Sequence, residues 1–237
     1  MDIKETDILG DQIANHWYYH SKAVAMMRLI AKIEAASILD VGAGSAFFTR
    51  HLLSHSAVKE AWCVDTGYKC DSDEDYAGKH IHFRRTIDAV NADLVLLMDV
   101  LEHVENDVSL LTDYTSKVPS GTQFLISVPA FQFLWSGHDV FLGHKRRYQL
   151  KEIESVARQA GLTVKHGNYY FGVVFPLAVV TRFAGNILGE RQQPRSQLKQ
   201  HSSFVNGILS TLSSAEHLLM QHNRIVGLTA FCLAESR

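Results

Sequence analysis

The sequence predicts an α/β fold built on a doubly wound, mostly parallel sheet of seven strands with helical insertions. Short apolar runs alternate with amphipathic helical patterns along the 237-residue chain, and parallel neighbouring strands require such crossover connections. Hydrophobic residues make up 46% and charged residues 20% of the chain, enough apolar material for a full core. We therefore expect a single domain spanning residues 1–237.

The strands are predicted from seven apolar runs bounded by turn residues: 37–41, 61–64, 81–84, 93–98, 122–128, a run beginning at 162, and 227–234. Apolar spacings of three and four residues predict the helices: 23–36, 47–54, 104–117, 149–160 and 204–221. In such sheets ligands bind beyond the carboxyl ends of the strands. The segments that follow the strands ending near residues 41, 64, 98 and 128 are therefore expected to form the site.

Charge and cysteine content exclude several classes of protein. The formal net charge is −2, so the whole chain offers no basic field to hold nucleic acid. Three cysteines without a paired C-x-x-C spacing predict neither a disulfide framework nor a zinc site, and they suit a reducing compartment. The N-terminus is acidic and polar, and the apolar run 169–181 is shorter than the roughly 20 residues of a spanning helix. These features predict a cytoplasmic protein without a transmembrane segment.

A glycine turn after the first strand is the strongest motif. Gly42 and Gly44 lie between the apolar run 37–41 and a helix, so bare backbone can approach a ligand closely. Turn chemistry alone, or a dinucleotide site, would produce a similar pattern. Phe47 occupies the third glycine position of G-x-G-x-x-G and would crowd a pyrophosphate, while Asp40 places negative charge near the ligand. That charge favours an ammonium or sulfonium group.

Asp65 is the second functional candidate. It ends the next strand, about 20 residues after the glycines, where an acidic side chain accepts hydrogen bonds from ribose hydroxyls. A lone aspartate at this position also suits an ordinary turn. The residue supports binding of a nucleoside without choosing between cofactors.

The third motif, DVLEHV at 99–104, directly follows the apolar run 93–98. With the glycine turn and Asp65 in the same order, the chain resembles the class I S-adenosylmethionine-dependent methyltransferase superfamily over residues 35–130, including the ubiquinone-biosynthesis type. The resemblance implies a Rossmann-like fold and S-adenosylmethionine as cofactor. It implies cofactor contacts by the methionine-end, ribose, adenine and pocket-lining residues: Asp40, Gly42, Ala43, Gly44, Asp65, Thr86, Ile87, Asp99 and Val100.

A narrower resemblance, to a bacterial methyltransferase-domain branch with the DVLEHV motif, extends over segments 127–130, 134–139 and 143–148. The aromatic segment 16–19 is similar to the N-terminal segment that folds over the cofactor in that branch. It implies that Tyr18 and Lys22 are further cofactor contacts. The chain is accordingly divided into an N-terminal helical lid at 1–35, a cofactor-binding core at 36–168, a helical cover at 169–222 and a last strand at 223–237.

Three histidines are candidates for the base that deprotonates a methyl acceptor: His103, His138 and His144. A structural role is the alternative for each. Glu102 and His103 with Asp139 would be a conceivable ligand set, but no tight H-x-x-x-H or carboxylate cluster supports it, and the sequence predicts no metal.

The basic segment 146–148 has two interpretations. Arg146, Arg147 and Tyr148 are candidates for clamping an anionic acceptor, or they form a solvated turn before the following helix.

The sequence thus predicts methylation of a small-molecule or lipid-linked acceptor, at oxygen. Aromatic residues within 169–188 favour a hydrophobic acceptor and peripheral contact with a membrane surface. The polar segment Gly189–Ser202 is expected to close over the acceptor. An NAD-dependent oxidoreductase and a non-catalytic partner subunit are the alternatives.

Overall fold

The computed structural model describes residues 10–187, 203–217 and 219–237. Its sheet contains eight strands: β1 Ser37–Val41, β2 Glu60–Val64, β3 Ser72–Tyr76, β4 Lys79–Arg84, β5 Leu94–Met98, β6 Gln123–Pro129, β7 Thr163–Tyr170 and β8 Thr229–Glu235. Their order is β3-β4-β2-β1-β5-β6-β8-β7. The five strands from β4 to β6 run parallel, whereas β3 and β8 pair antiparallel with their neighbours. The predicted α/β fold is confirmed, and the predicted count of seven strands is wrong by one.

The strand missing from the prediction is β3, whose sequence SDEDY has no apolar alternation. Polar contacts join it to β4: Asp73 lies 2.8 Å from Arg84 and 2.6 Å from His82, and Asp75 lies 2.6 Å from His80. A two-residue turn at Ala77 and Gly78, with φ values of 53° and 74°, joins it to β4. Such turns match the twist of a hairpin. Because polar contacts and turn geometry accompany this strand, a search for apolar runs overlooks it.

Seven α-helices lie within the described residues: α1 Trp17–Leu29, α2 Phe47–His55, α3 Asp107–Ser116, α4 Gly137–Leu142, α5 Leu150–Gln159, α6 Phe175–Ile187 and α7 Ser203–Glu216. The first helix is a correction, since the sequence predicted it at 23–36. Ser21 and Lys22 are buried, and two polar residues on the inner face hide the helix from an apolar pattern.

The start of α3 also differs from the predicted start at residue 104. Residues Leu101–His103 form a separate 3₁₀ turn directly after β5. Asn106 then caps α3, and its side chain accepts a hydrogen bond from the Ser109 backbone amide at 2.9 Å. This turn positions Glu102 and His103 at the carboxyl edge of the sheet.

Two apolar clusters cover the two faces of the sheet. Helix α1 contributes Tyr19, Ala23 and Met26 to one cluster, and α5 contributes Ile153 and Ala157 to the other. All five residues of β5 are buried, as expected for a central parallel strand. The N-terminal segment predicted as a lid therefore takes part in the core through α1.

The segment Gly189–Ser202, predicted to close over the acceptor, lies outside the described residues. Within the described ranges, none of the helices is both long and apolar enough to cross a membrane.

Candidate active site

The glycine turn lies at the carboxyl end of β1 and packs against the end of β2. The amides of Gly42 and Ala43 donate hydrogen bonds to the carbonyl of Val64 at 2.7 and 3.3 Å. Gly42 and Gly44 have φ values of 66° and 53°, the left-handed region that favours glycine. A Cβ atom at Gly42 would lie 2.8 Å from Val100 Cγ2, so the turn and the segment after β5 approach closely because Gly42 has no side chain.

Asp65 connects the end of β2 to this turn. Its Oδ2 atom accepts a hydrogen bond from the Gly44 amide at 3.0 Å, and its Oδ1 atom accepts one from the Gly67 amide at 2.8 Å. Tyr68 donates its hydroxyl hydrogen to the Gly44 carbonyl at 2.8 Å. The predicted ribose acid therefore also fixes the shape of the glycine turn.

Asp40 is buried in β1, next to the turn. Its Oδ2 atom accepts a hydrogen bond from the Thr49 hydroxyl at 2.6 Å. Burial raises the pKa of the Asp40 carboxyl to about 6, and the Thr49 hydrogen bond opposes that shift. The carboxylate is thus costly to ionise unless a cation comes close.

Lys22 and Asp99 form an ion pair that sequence reasoning did not find. Lys22 has no exposed side-chain surface and donates to Asp99 Oδ2, while Ser127 donates to Asp99 Oδ1 at 3.2 Å. Burial opposes both charges, yet the attraction between them raises the pKa of Lys22 and lowers the pKa of Asp99. The Tyr18 hydroxyl lies 3.4 Å from Lys22 Nζ. Burying a lysine through pairing leaves no apolar pattern to read.

The predicted adenine contacts follow β4. Thr86 is exposed and Ile87 is half-buried, in the segment after the carboxyl end of that strand. The Asp65 amide donates to the Arg84 carbonyl at 3.1 Å, which places the two segments side by side. The structure therefore brings the predicted methionine, ribose and adenine contacts to one edge of the sheet, in the order of the strands. Their roles as cofactor contacts stay predictions.

Glu102, His103 and His144 form a second group at this edge. One ligand atom from each lies within 4.8 Å of the other two, and the imidazole centroids are 4.8 Å apart. Glu102 is fully buried. Burial and the nearby Asp99 carboxylate raise the pKa of Glu102 well above its usual value. Sequence reasoning named the two histidines as candidate bases and missed their contact, because 40 residues separate them in the chain.

Asp139 contacts this group through His144 and holds that side chain in place. Asp139 is not free to bind a metal ion, because its oxygens accept hydrogen bonds from His144 Nδ1 at 2.9 Å and from Arg147 at 2.7 and 3.0 Å. Burial opposes its ionisation, but His144 and Arg147 hold the pKa of Asp139 well below its usual range. Arg182 of α6 lies 3.8 Å away and extends the pairing.

The remaining predicted substrate residues have internal partners. Arg146 contacts Asp107 at 3.4 Å, and the buried Tyr148 hydroxyl donates to Asp107 at 2.8 Å. These contacts give both residues a structural role, while acceptor binding by them stays a prediction. His138 lies beside Asp139 on α4, outside the Glu102–His103–His144 group.

The aromatic side chains of Trp17, Tyr18 and Phe171 pack into a wall, and the Tyr18 hydroxyl of this wall lies 3.4 Å from Lys22 Nζ. The Tyr18 and Phe171 rings stack with centroids 5.1 Å apart, and the Trp17 ring meets Phe171 edge-on at 5.5 Å. Next to this wall, α6 and α7 expose a set of large apolar side chains: Leu177, Val180, Phe183, Val205, Ile208 and Leu212. Continuous exposed apolar surfaces are typical of sites that meet a hydrophobic ligand or a membrane.

The model of a protein family described as a methyltransferase domain matches residues 15–166, well over half of the chain. The chain belongs to this methyltransferase-domain family. The match includes the glycine turn, Asp65 and the Glu102–His103–His144 group. No curated protein sequence matches the chain.

Solved structures of methyltransferases and of a cyclase share this fold. The methyltransferase domain of bacterial CtHen1-C has a TM-score of 0.56 and 12% identity, with 91% of this chain and 97% of that chain covered. A candidate methyltransferase of Bacillus halodurans has a TM-score of 0.52 and 12% identity, with 91% and 98% covered. The cyclase SpnF has a TM-score of 0.50 and 13% identity, with 91% of this chain and 81% of that chain covered. A cyclase on this fold is a reminder that the fold alone does not fix the chemistry.

Proposed function

We propose that this methyltransferase uses S-adenosylmethionine to methylate an oxygen of a small, hydrophobic or lipid-linked acceptor. The observation that carries the proposal is the glycine turn locked to Asp65, with the Gly44 amide and Asp65 Oδ2 at 3.0 Å. The turn leaves backbone open at the carboxyl edge, where a doubly wound sheet binds nucleosides. Membership of the methyltransferase-domain family supports the same cofactor.

The residues of the turn fit S-adenosylmethionine better than a dinucleotide. Phe47 begins α2 and packs against Tyr19 with ring centroids 5.8 Å apart, so a side chain stands where a pyrophosphate needs a bare helix N-terminus. The buried Asp40 carboxylate favours a cationic ligand near the turn and opposes a phosphate. An NAD-dependent oxidoreductase is therefore the less favoured alternative.

The catalytic work of the chain is positioning and proton removal. S-adenosylmethionine, when bound, would supply an activated methyl group for displacement by the acceptor oxygen. The proposed role of the glycine turn, Asp65 and the segment 86–87 is to hold the cofactor in place. The proposed role of the aromatic wall of Trp17, Tyr18 and Phe171 is to exclude water from the reacting groups. His103 and His144 lie at the same edge of the sheet and are the candidate bases for removing the proton of the acceptor.

The exposed apolar surface of α6 and α7 supports a hydrophobic acceptor. Leu177 is 61% exposed and Val180 is 65% exposed, on a helix whose buried side reaches Asp139 through Arg182. A lipid-linked acceptor would rest on this surface while its reactive group enters toward the histidines. Peripheral contact with a membrane belongs to this proposal.

A transfer assay with methyl-labelled S-adenosylmethionine tests the proposal. The acceptors would be hydroxyl compounds matched in reactive group but differing in alkyl chain length, presented with and without phospholipid vesicles. We expect turnover to rise with chain length, and Leu177→Asp to weaken that dependence without changing cofactor affinity. Turnover that prefers the shortest acceptor would contradict the hydrophobic acceptor. Cofactor binding without turnover on any acceptor would favour the non-catalytic subunit.

A further inference from the structure

The Glu102 carboxyl lacks what a buried carboxyl normally has. It is 0% exposed, and within the described part of the chain neither of its oxygens has a hydrogen-bond partner. Leaving such a group unpaired costs free energy, so buried carboxyls are normally hydrogen-bonded, paired with a cation or bound to a metal. One of its oxygens lies within 4.8 Å of a ring nitrogen of His103 and of His144.

Among the described residues, the cations near this carboxyl each form an ion pair with a different carboxylate. Lys22 contacts Asp99, and the basic residues of the 145–147 segment contact Glu105, Asp107 and Asp139. The negative charge of an ionised Glu102 is therefore left for a ligand to balance.

The His144 ring is oriented by a carboxylate, as the rings of metal-binding histidines commonly are. Its Nδ1 atom lies 2.9 Å from Asp139 Oδ1, and an ionised aspartate only accepts hydrogen bonds, so Nδ1 donates. The lone pair of the neutral ring is then on Nε2. A carboxylate that orients a histidine in this way is the usual outer support of a metal site, and Arg147 fixes Asp139 in turn.

We propose that Glu102, His103 and His144 bind one divalent transition-metal ion. Two imidazoles and one carboxylate suit zinc and its neighbours in the first transition row better than magnesium or calcium, which prefer oxygen ligands. Ligand atoms about 2.0–2.1 Å from zinc in a tetrahedron are roughly 3.4 Å apart, so the separations within the group, which reach up to 4.8 Å, would shorten by at most about 1.4 Å on binding. Because Asp139 holds the His144 ring, side-chain movement of Glu102 and His103 would supply most of that contraction.

The site would leave a fourth coordination position open toward the carboxyl edge of the sheet. An acceptor hydroxyl bound there would lose its proton to solvent more easily, because a metal ion lowers the pKa of a bound oxygen acid. His103 and His144 would then act as ligands instead of as bases. This last step rests on the proposed function, whereas metal binding itself does not.

Sequence reasoning predicted no metal, for two reasons that the structure explains. His144 is distant in the chain from the adjacent pair Glu102 and His103, so no short ligand spacing is visible. Asp139, the acid considered as a ligand, is occupied by His144 and Arg147 and supports the site from outside.

Titration of the metal-free protein with zinc against a chromophoric chelator tests the proposal without any methyl transfer. We expect one tight site per chain, with affinity at least tenfold weaker in Glu102→Gln and in His144→Gln. Cobalt binding should give the visible bands of a four-coordinate site, and Glu102→Gln should abolish them. Saturating zinc should raise the melting temperature of the wild type and not that of Glu102→Gln.

His55→Ala is the matched control, because the His51 and His55 rings stack on α2 with centroids 4.4 Å apart and form an adventitious pair outside the site. We expect this variant to keep the tight site. Equal zinc affinity in the wild type and a folded Glu102→Gln would overturn the proposal, as would loss of the tight site in His55→Ala alone. Circular dichroism would establish that each variant folds. If His144→Gln does not fold, the near-isosteric Glu102→Gln alone decides the test.

Discussion

At the scale of single residues, the site is built from ionisable groups that the fold buries. Lys22, Asp40 and Glu102 are each almost fully buried, and each has a different way of offsetting the cost. Lys22 is paired with Asp99, Asp40 accepts one hydroxyl hydrogen bond, and Glu102 has no hydrogen-bond partner among the described residues. Buried groups of this kind cluster at functional sites, because their charge is used when a ligand arrives.

Asp40→Asn should stabilise the ligand-free protein at neutral pH. The folded pKa of about 6 lies above the unfolded value, so the native state binds the proton more tightly and stability falls as the pH rises between about 4 and 6. We expect the free energy of unfolding of Asp40→Asn to exceed that of the wild type by about 1–3 kcal/mol at pH 7.5 and to converge with it near pH 4.

Urea denaturation across that pH range measures the difference. Asp113→Asn, an exposed change on α3 that breaks only an i,i+4 pair, serves as the control and should shift stability little. A constant difference between Asp40→Asn and wild type at every pH would contradict the raised pKa.

Lys22→Met should destabilise the protein because it leaves Asp99 without its cation. Breaking a buried pair from one side costs about 3 kcal/mol, less where the remaining partner is partly hydrated, and the Asp99 side chain is 23% exposed. The double variant Lys22→Met/Asp99→Asn should recover most of the loss. Asparagine is the suitable replacement, since Asp99 has a φ of 57° and asparagine tolerates that conformation. A double variant as unstable as the single one would show that the pair is not the cause.

At the scale of elements, the tight turns set where the strands and helices meet. Gly42 allows the β1–α2 turn to approach Val100, and Ala77 with Gly78 joins β3 to β4. The two turns require glycine for different physical reasons. At Gly42 an added Cβ atom would clash, whereas at Gly78 there is open space and only the backbone conformation matters.

A pair of glycine substitutions tests that distinction. Gly78→Ala should lower the free energy of unfolding by about 1 kcal/mol, because its φ of 74° is unfavourable for alanine although no atom lies within 4 Å of the new Cβ. Gly207→Ala, within α7 and also with nothing within 4 Å, should raise it by about 0.5–1 kcal/mol through helix propensity. Thermal denaturation gives both values, and equal signs would contradict the account of the hairpin.

At the scale of the whole molecule, the sequence predicted the parallel half of the sheet well. Continuous apolar runs such as β5 and the glycine turn after β1 carry local signals, and the structure places them as expected. What it could not predict depends on pairing between polar side chains, which leaves no apolar pattern in the sequence. The acidic strand β3 contacts His80, His82 and Arg84 of the neighbouring strand, the buried Lys22 of α1 is paired with Asp99, and the Glu102 group includes the distant His144.

Titration calorimetry with S-adenosylhomocysteine and with NAD, on the wild type and on Asp65→Ala, tests the central claim most directly. We predict that the wild type binds S-adenosylhomocysteine and not NAD. Asp65→Ala should lose about 1.5–3 kcal/mol of that affinity, because charge-assisted hydrogen bonds to the ribose and the tie to Gly44 are both removed. Asp113→Ala, which removes an exposed acid on α3, should bind as the wild type does. Binding of NAD in preference to S-adenosylhomocysteine, or unchanged affinity in Asp65→Ala, would contradict the account.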